Sequence, residues 1–422
     1  MNIDKNHLLN ESKEFCMMPW IHMHTTPSGA SAPCCIGRSI ASTDGMGNAA
    51  NHSLLELVNS EKMNQLRLDM LSGVRNNECN SCHVQEEHGQ KSHRIHMNQQ
   101  RDHFFDEAVL NTNVDGSLTN FKMREFDMRF SNLCNFKCRT CTQEYSSAWE
   151  QENKIHDKLH YRRITRNNNK QLLQEVIDHI PHMEHAYFAG GEPLIMEEHY
   201  ILLEEMIRQQ RTDIQLRYST NFSNLKFKNK DLLGLWKQFD KHILVFASID
   251  HVGERAEYIR AGTDWGKVEE NYIHASAIPN ITMSINAVLS VFNYLTFDKF
   301  YQHLIDKKMY LPTGFINTVY FMQDPSYLTC HLLPTDDLRN KGKESMRFTV
   351  DLMKSNGFDN RHTDPLELSH AWLDSSNTWN NRYDHEITIG EKFKQEILRL
   401  DKIRGQDFTK VFPELAVLLD TK

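Results

Sequence analysis

Phe130-Ser131-Asn132-Leu133-Cys134-Asn135-Phe136-Lys137-Cys138-Arg139-Thr140-Cys141 places three cysteines in a C-x3-C-x2-C pattern. Directly ahead of them, residues 123–130 alternate in polarity. Such alternation reads as a strand, so the cysteines fall on the loop at its C-terminal end. In α/β sheets and barrels that edge is where chemistry collects. Three thiolates close together suit a metal ion or an iron–sulfur cluster. A structural zinc takes four protein ligands, and a [4Fe–4S] cube normally does too. Three local cysteines therefore leave two readings: a distant fourth ligand, or an iron kept open.

Working outward, residues 190–193 read Gly-Gly-Glu-Pro at the end of a second strand-like run, 185–189. Gly190 and Gly191 lack a Cβ and let backbone approach a ligand. Glu192 has two readings, an acceptor for a ligand's ammonium group or a charge at a helix N-terminus. Further strands are expected at 214–218, 243–249, 281–289 and 316–322. Helical patterns stand between, at 171–180, 196–209, 232–239, 268–277 and 297–307. Strand–helix alternation with right-handed crossovers gives a parallel sheet, and six units fit either a doubly wound sheet or a partial barrel. Ser219 and Asn221 end the third strand, and Ser248 ends the fourth. Arg260 suits planar anions, or else forms a surface salt bridge on a helix. From 333 onward the chain reads as helical, at 337–354 and 391–403, with Pro334 and Pro365 as breaks. Cys330 reads as a buried core thiol.

The first hundred residues carry their own cysteines: Cys16, the pair Cys34-Cys35, and Cys79-x-x-Cys82. Gly29 reads as a hairpin turn ahead of Cys34. Ser53 reads as an N-cap for helical spacing that runs to Leu71, and Gly73 ends it. Cys79 and Cys82 follow in a polar loop. A hairpin, a helix and a C-x2-C loop can close four thiolates around one metal centre, and a zinc site would use the same ligands. Residues 83–122 read as a connector. Its histidines, His83, His88, His93, His96 and His103, read as a solvated helix face.

The 422 residues suit two domains, and 39% hydrophobic with 25% charged residues describes a globular protein. A net charge of −8 argues against a nucleic-acid surface. No apolar run approaches a membrane span, and the polar N-terminus lacks the apolar core of a signal peptide. Nine cysteines, mostly in short-spaced groups, read as metal ligands rather than disulfides, which implies a reducing cytoplasm.

C-x3-C-x2-C after one strand and Gly-Gly-Glu-Pro after the next resemble the radical S-adenosylmethionine (SAM) enzymes. The N-terminal set resembles the twitch domain, the short form of the SPASM domain, on Cys16, Gly29, Cys34, the Ser53–Leu57 helix start, Leu66-Arg67, Cys79 and Cys82. The resemblance implies an α/β fold: a partial (β/α)6 TIM-like barrel at 123–332, with an α+β twitch-like domain at 1–100. A linker at 101–122 and a helical extension at 333–422 complete the expected division. It implies two [4Fe–4S] clusters, one on Cys134, Cys138 and Cys141 with SAM on the open iron. The auxiliary one sits on Cys16, Cys34, Cys79 and Cys82, with Cys35 as the alternative to Cys34. It implies SAM contacts from Gly190, Gly191, Glu192, Ser219, Asn221, Ser248 and Arg260, and a backbone contact to adenine near Asn286 and Val288. Asp127 and Arg129, facing the barrel interior with Glu125, would line the substrate cavity. The implied chemistry is reductive cleavage of SAM to a 5′-deoxyadenosyl radical that takes hydrogen from a peptide or protein. Dehydrogenation of a sugar alcohol or nucleotide is the alternative, with a flavodoxin- or ferredoxin-type electron donor in either case. The opposing class is a zinc-binding interaction protein. Three departures stand out: Thr140 replaces the usual aromatic residue, Phe222 replaces a glycine after Asn221, and the twitch-like region precedes the barrel.

Overall fold

The computed structural model describes residues 3–42, 45–156, 170–375 and 389–420, with side chains omitted for 369–375. Twelve strands occur among them: β1 (His22–Thr25), β2 (Ser31–Ala32), β3 (Glu125–Met128), β4 (Lys137–Cys138), β5 (His185–Phe188), β6 (Gln215–Thr220), β7 (Lys226–Phe227), β8 (Lys230–Asp231), β9 (Ile243–Ser248), β10 (Arg260–Ala261), β11 (Ile281–Leu289) and β12 (Thr318–Phe321). Eight of them form one mainly parallel sheet in the order β12-β11-β9-β6-β5-β3-β1-β2. The six strands expected from the sequence are all present. The additional two, β1 and β2, come from the N-terminal segment. The chain divides into two compact units.

The first unit comprises Met1–Leu133, Arg162–Tyr218 and Gly234–Ile243. Strands β1, β3, β5 and β6 run parallel in register: His24 lies opposite Asp127, Glu125 opposite His185, and Tyr187 opposite Arg217. Side chains alternate along each strand, so these rows share one face. That face holds His22, His24, Glu125, Asp127, His185, Tyr187, Gln215 and Arg217. The opposite face holds Met23, Phe126, Ala186, Phe188, Leu216 and Tyr218, all buried. Tyr218 ties down the apolar side, since its hydroxyl meets His199 Nε2 at 3.0 Å and accepts from Trp236 Nε1 at 3.1 Å.

The expected hairpin is present. β1 pairs antiparallel with β2, with Gly29 in the turn at φ +89°. A Cβ there would lie 2.5 Å from Asn48 Oδ1. Ser53 and Glu56 form a reciprocal capping box on the helix Leu54–Val58, worth about 1 kcal/mol. The helical run expected as far as Leu71 breaks at Asn59, and Ser60 caps a second helix, Glu61–Leu71. Arg67 on that helix is fully buried, and it donates to the carbonyls of Pro19, Gly116 and Val58.

The expected division at residue 100 is crossed by hydrogen bonds, because β1 pairs with β3. The stretch expected to be a connector is packed structure. Helix His93–Arg101 buries Arg94, Asn98 and Arg101. Arg94 Nη1 donates to the carbonyls of Ser12 and Phe15. His88, His96 and His103 are exposed as expected, but His83 is buried beside Glu14.

The second unit comprises Cys134–Tyr161, Ser219–Leu233 and Leu244–Lys422. β11 and β12 pair in parallel from Asn286 opposite Thr318 to Leu289 opposite Phe321. The tail is part of this unit's core. Phe393, Phe408 and Phe412 pack with Tyr258 and Phe292 at ring separations of 5.4–6.4 Å. Pro365, expected as a break, lies inside the helix Asn360–Ser375. Among the described residues no helix is long and apolar enough to cross a membrane.

Candidate metal centres

The C-x3-C-x2-C loop is built into the second unit on several sides. Helix Ser147–His156 follows it and anchors it from its first turn: Cys134 N donates to Ser147 Oγ at 3.2 Å, and Trp149 Nε1 donates to Cys138 O at 2.8 Å. β4, which carries Cys138, pairs antiparallel with β10, placing Arg260 opposite Cys138. Gly262, just beyond β10, has φ +109°, and a Cβ there would lie 2.8 Å from Asn135 O. On another side Asn221 Nδ2 donates to Asn135 Oδ1 at 2.9 Å, and Asn135 Nδ2 donates to Ser223 Oγ at 3.0 Å. Phe222, in the place of a glycine, is buried at φ +55°, a conformation that costs a non-glycine residue of order 1–3 kcal/mol.

The tail closes the loop. Arg139, between Cys138 and Cys141, donates to Asp401 Oδ1 at 2.6 Å and to Gln406 Oε1 at 2.9 Å. Its guanidinium stacks 3.8 Å from the Tyr258 ring. Glu152 receives Lys137 Nζ at 2.6 Å and two nitrogens of Arg404 at 2.8–3.2 Å. Neither buried pair was visible in the sequence, where 262 residues separate Arg139 from Asp401.

Arg260 forms a largely buried ion pair rather than a surface one. Its Nε donates to Asp250 Oδ2 at 2.8 Å and its Nη1 to Cys138 Sγ at 3.7 Å. The other oxygen of Asp250 accepts from Val288 N at 2.8 Å, so the amide expected near adenine is already engaged. Asn221 spends both ends of its amide on the chain, since its Oδ1 accepts from Ser223 N at 3.0 Å. Ser219 and Ser248 are half-buried at the ends of β6 and β9.

In the first unit, Gly190 and Gly191 allow a close approach of the chain to itself. A Cβ on Gly191 would sit 2.3 Å from Leu133 O and 2.6 Å from Asn132 C, the residues that lead into Cys134. Gly190, at φ +126°, packs on Arg129. Glu192 is buried, and its Oε1 caps the short turn Pro193–Ile195 by accepting from Leu194 N at 3.1 Å. The helix-terminus reading of Glu192 is therefore realised.

The N-terminal cysteines also gather in the first unit. Cys16 and Cys82 are buried, and Cys34 and Cys79 are half-buried. Cys79 precedes the helix Asn80–Glu87, and Cys82 lies within it rather than in the expected loop. Cys34 lies within electrostatic reach of Cys16 and Cys79, and Cys79 of Cys16 and Cys82. Cys35, in the turn after β2, also senses Asp127 and Arg129.

Burial pushes the thiols of Cys16 and Cys141 up to about 12 and that of Cys35 to about 11. It raises Cys34, Cys79, Cys82 and Cys138 as well, with Arg260 opposing the rise at Cys138. A bound metal draws such thiols to thiolates, and grouped sulfur donors of this kind suit a metal centre. Among the described residues no three cysteine sulfurs lie within 4.8 Å of one another.

Asp127 is buried on the polar face of the sheet. His24 Nδ1 meets its Oδ2 at 3.0 Å, and Arg129 Nε meets its Oδ1 at 3.4 Å. Burial pushes the Asp127 carboxyl up, but Arg129 and His24 outweigh it and hold it below the usual range. The one local trace of this cluster in the sequence is the two-residue spacing of His22 and His24.

Residues 16–83 match the model of the SPASM family, an iron–sulfur cluster-binding domain. The match spans all five N-terminal cysteines. Among solved structures the chain is similar to anSMEcpe with bound AdoMet, at 19% identity over 55% of this chain and 62% of that one, TM-score 0.39. It is also similar to Streptococcus suis SuiB bound to precursor peptide SuiA, at 16% identity over 73% of this chain and 66% of that one, TM-score 0.37. The chain thus spans under two thirds of the length of these solved proteins. No curated protein matches.

Proposed function

We propose that the chain is a radical SAM enzyme with an N-terminal auxiliary cluster, acting on a peptide or protein. The observation that carries this reading is the three-cysteine loop of Cys134, Cys138 and Cys141, tied down on several sides by backbone and side chains, none of which among the described residues is a fourth cysteine. The SPASM match at 16–83 supports a second cluster, for which Cys16, Cys34, Cys79 and Cys82 are the proposed ligands. When bound, the first cluster supplies the electron that splits SAM and so allows hydrogen to be taken from an unactivated C–H bond.

The chain's own residues have definable work in this scheme. Arg260 delivers an N–H and a positive charge to Cys138 Sγ, which makes that sulfur a weaker donor. Arg139, Asp401, Glu152 and Arg404 fix the loop that carries the three sulfurs. Asn221 positions that loop through Asn135. Ser219 and Ser248 offer hydroxyls for the polar parts of SAM. Gly190, Gly191 and Glu192 shape the loop after β5, where the Gly-Gly-Glu-Pro motif implies the methionyl group. Asp127 and Arg129 belong to a polar face suited to a substrate's charged groups. A peptide is the proposed substrate class on the resemblance to twitch- and SPASM-bearing enzymes.

Iron and sulfide analysis after anaerobic purification tests the reading. About eight irons per chain, falling to about four in a Cys134→Ala/Cys138→Ala/Cys141→Ala variant, is the expected result. Dithionite and SAM should then yield 5′-deoxyadenosine with the wild type alone. Stoichiometric zinc without sulfide would discard the proposal.

A further inference from the structure

On the polar face of the first unit, His22, His24 and Asp127 are each buried, and one potential ligand atom from each lies within 4.8 Å of the others. Their convergence follows from the sheet. His22 and His24 sit two residues apart on β1 and so share a face, and the parallel register sets Asp127 beside His24. His22 Nδ1 is 2.8 Å from Glu125 O, a contact in which only the ring N–H can donate. That fixes the tautomer and leaves Nε2 with its lone pair, as in metal-binding histidines held by a carbonyl. His24 Nδ1 and Asp127 Oδ2 lie 3.0 Å apart, a hydrogen-bond distance that a tetrahedral ion with bonds of about 2.1 Å would open to about 3.4 Å.

We infer that His22, His24 and Asp127 form a mononuclear site for a divalent first-row transition metal, with no cysteine among its ligands. Two imidazoles and one carboxylate are borderline donors, suited to zinc or ferrous iron rather than calcium or magnesium. The ion would take the place of the proton shared by His24 and Asp127. Glu125 and Arg129 would orient the ligands, through the His22 ring and through Asp127 Oδ1 respectively. The site joins β1 to β3 and does not depend on the radical SAM reading, since none of its ligands is a cysteine.

The test uses the full-length protein with its iron–sulfur centres intact. After dialysis against chelator-treated buffer, zinc(II) is added alone, the excess is removed, and bound zinc is counted by mass spectrometry. Zinc K-edge absorption reports the ligand shell. About one zinc per chain with an imidazole and oxygen shell is expected. His22→Gln and His24→Gln should each weaken binding by about 10-fold or more while iron and sulfide stay at wild-type levels. No retained zinc, an all-sulfur shell, or wild-type zinc affinity in both variants would overturn the inference. The wild-type absorption edge decides the matter even where a variant fails to fold.

Discussion

Asp401→Ala is the sharpest perturbation of the cysteine loop, because one carboxylate on the tail serves three buried donors. Its Oδ1 accepts from Arg139 Nη2 at 2.6 Å and from Tyr258 OH at 2.7 Å, and its Oδ2 accepts from Phe408 N at 2.7 Å. The Arg139 side chain is 1% exposed, and its Nη1 has no hydrogen-bond partner among the described residues. Truncation therefore strands a buried cation that water cannot reach. Breaking a buried ion pair from one side costs about 3–5 kcal/mol. The loss falls on the loop between Cys138 and Cys141, so opening of that loop should become easier by a similar amount. At about 1.4 kcal/mol per decade, 3 kcal/mol is on the order of a hundredfold. The assay is the rate at which anaerobically prepared protein loses iron to a chelator. It is read for the wild type, Asp401→Ala, Arg139→Met and the double variant Arg139→Met/Asp401→Ala. Asp401→Ala should accelerate the phase that is absent from the Cys134→Ala/Cys138→Ala/Cys141→Ala variant on the order of a hundredfold, and adding Arg139→Met should recover much of the loss by removing the stranded charge. Wild-type rates in Asp401→Ala, or strictly additive effects in the double variant, would refute the clamp.

Three further outcomes follow from the same geometry. Arg260→Met removes the N–H donor and the positive charge at Cys138 Sγ, so the midpoint potential of the loop-bound cluster should fall in an EPR-monitored titration; an unchanged or raised potential would count against the contact. Gly191→Ala would drive a Cβ to 2.3 Å from Leu133 O, which is backbone and cannot rotate away. Iron should drop towards about four per chain while the SPASM-region cluster stays; full iron content would show that the approach is loose. His199 is buried, and burial holds it neutral down to about 3. The unfolded chain takes up its proton near 6.5, so stability is intact above that pH and is lost as pH falls towards 3, at about 1.4 kcal/mol per pH unit. His22, His185 and His251 are lowered the same way, to about 4, 3 and 3. His199→Gln should flatten the fall in urea midpoint between pH 6 and 4, and an unaltered slope would show that His199 charges without penalty.

The parallel-sheet strands were legible because each is an apolar or alternating run closed by a turn. All six expected strands lie within two residues or so of where period-two alternation put them. The Gly29 hairpin and the Ser53 cap were legible for the same local reason. What escaped was set by partners distant in sequence. His-Met-His-Thr at 22–25 is too short and too polar to read as a strand, and it becomes one only because β3 offers a parallel edge a hundred residues later. The tail's role was hidden because Asp401 and Arg404 are ordinary charges on an amphipathic helix until Arg139 and Glu152 meet them. Glu192 and the two glycines before it were open to two readings, and local pattern could not choose between a ligand and the chain's own loop. Phe222 shows the converse. A glycine-type backbone conformation is kept with the wrong residue, which a search for glycine would miss.

The pairing of β1 with β3 bears on how the molecule can be dissected. A cut after residue 100 looks like the removal of a small accessory module. It would instead strip the neighbour from β3 and leave that strand's amide and carbonyl groups bare, a ready template for another chain. Shortened versions lacking the N-terminal segment should therefore be recovered as aggregates, whatever the fate of the cysteines they retain.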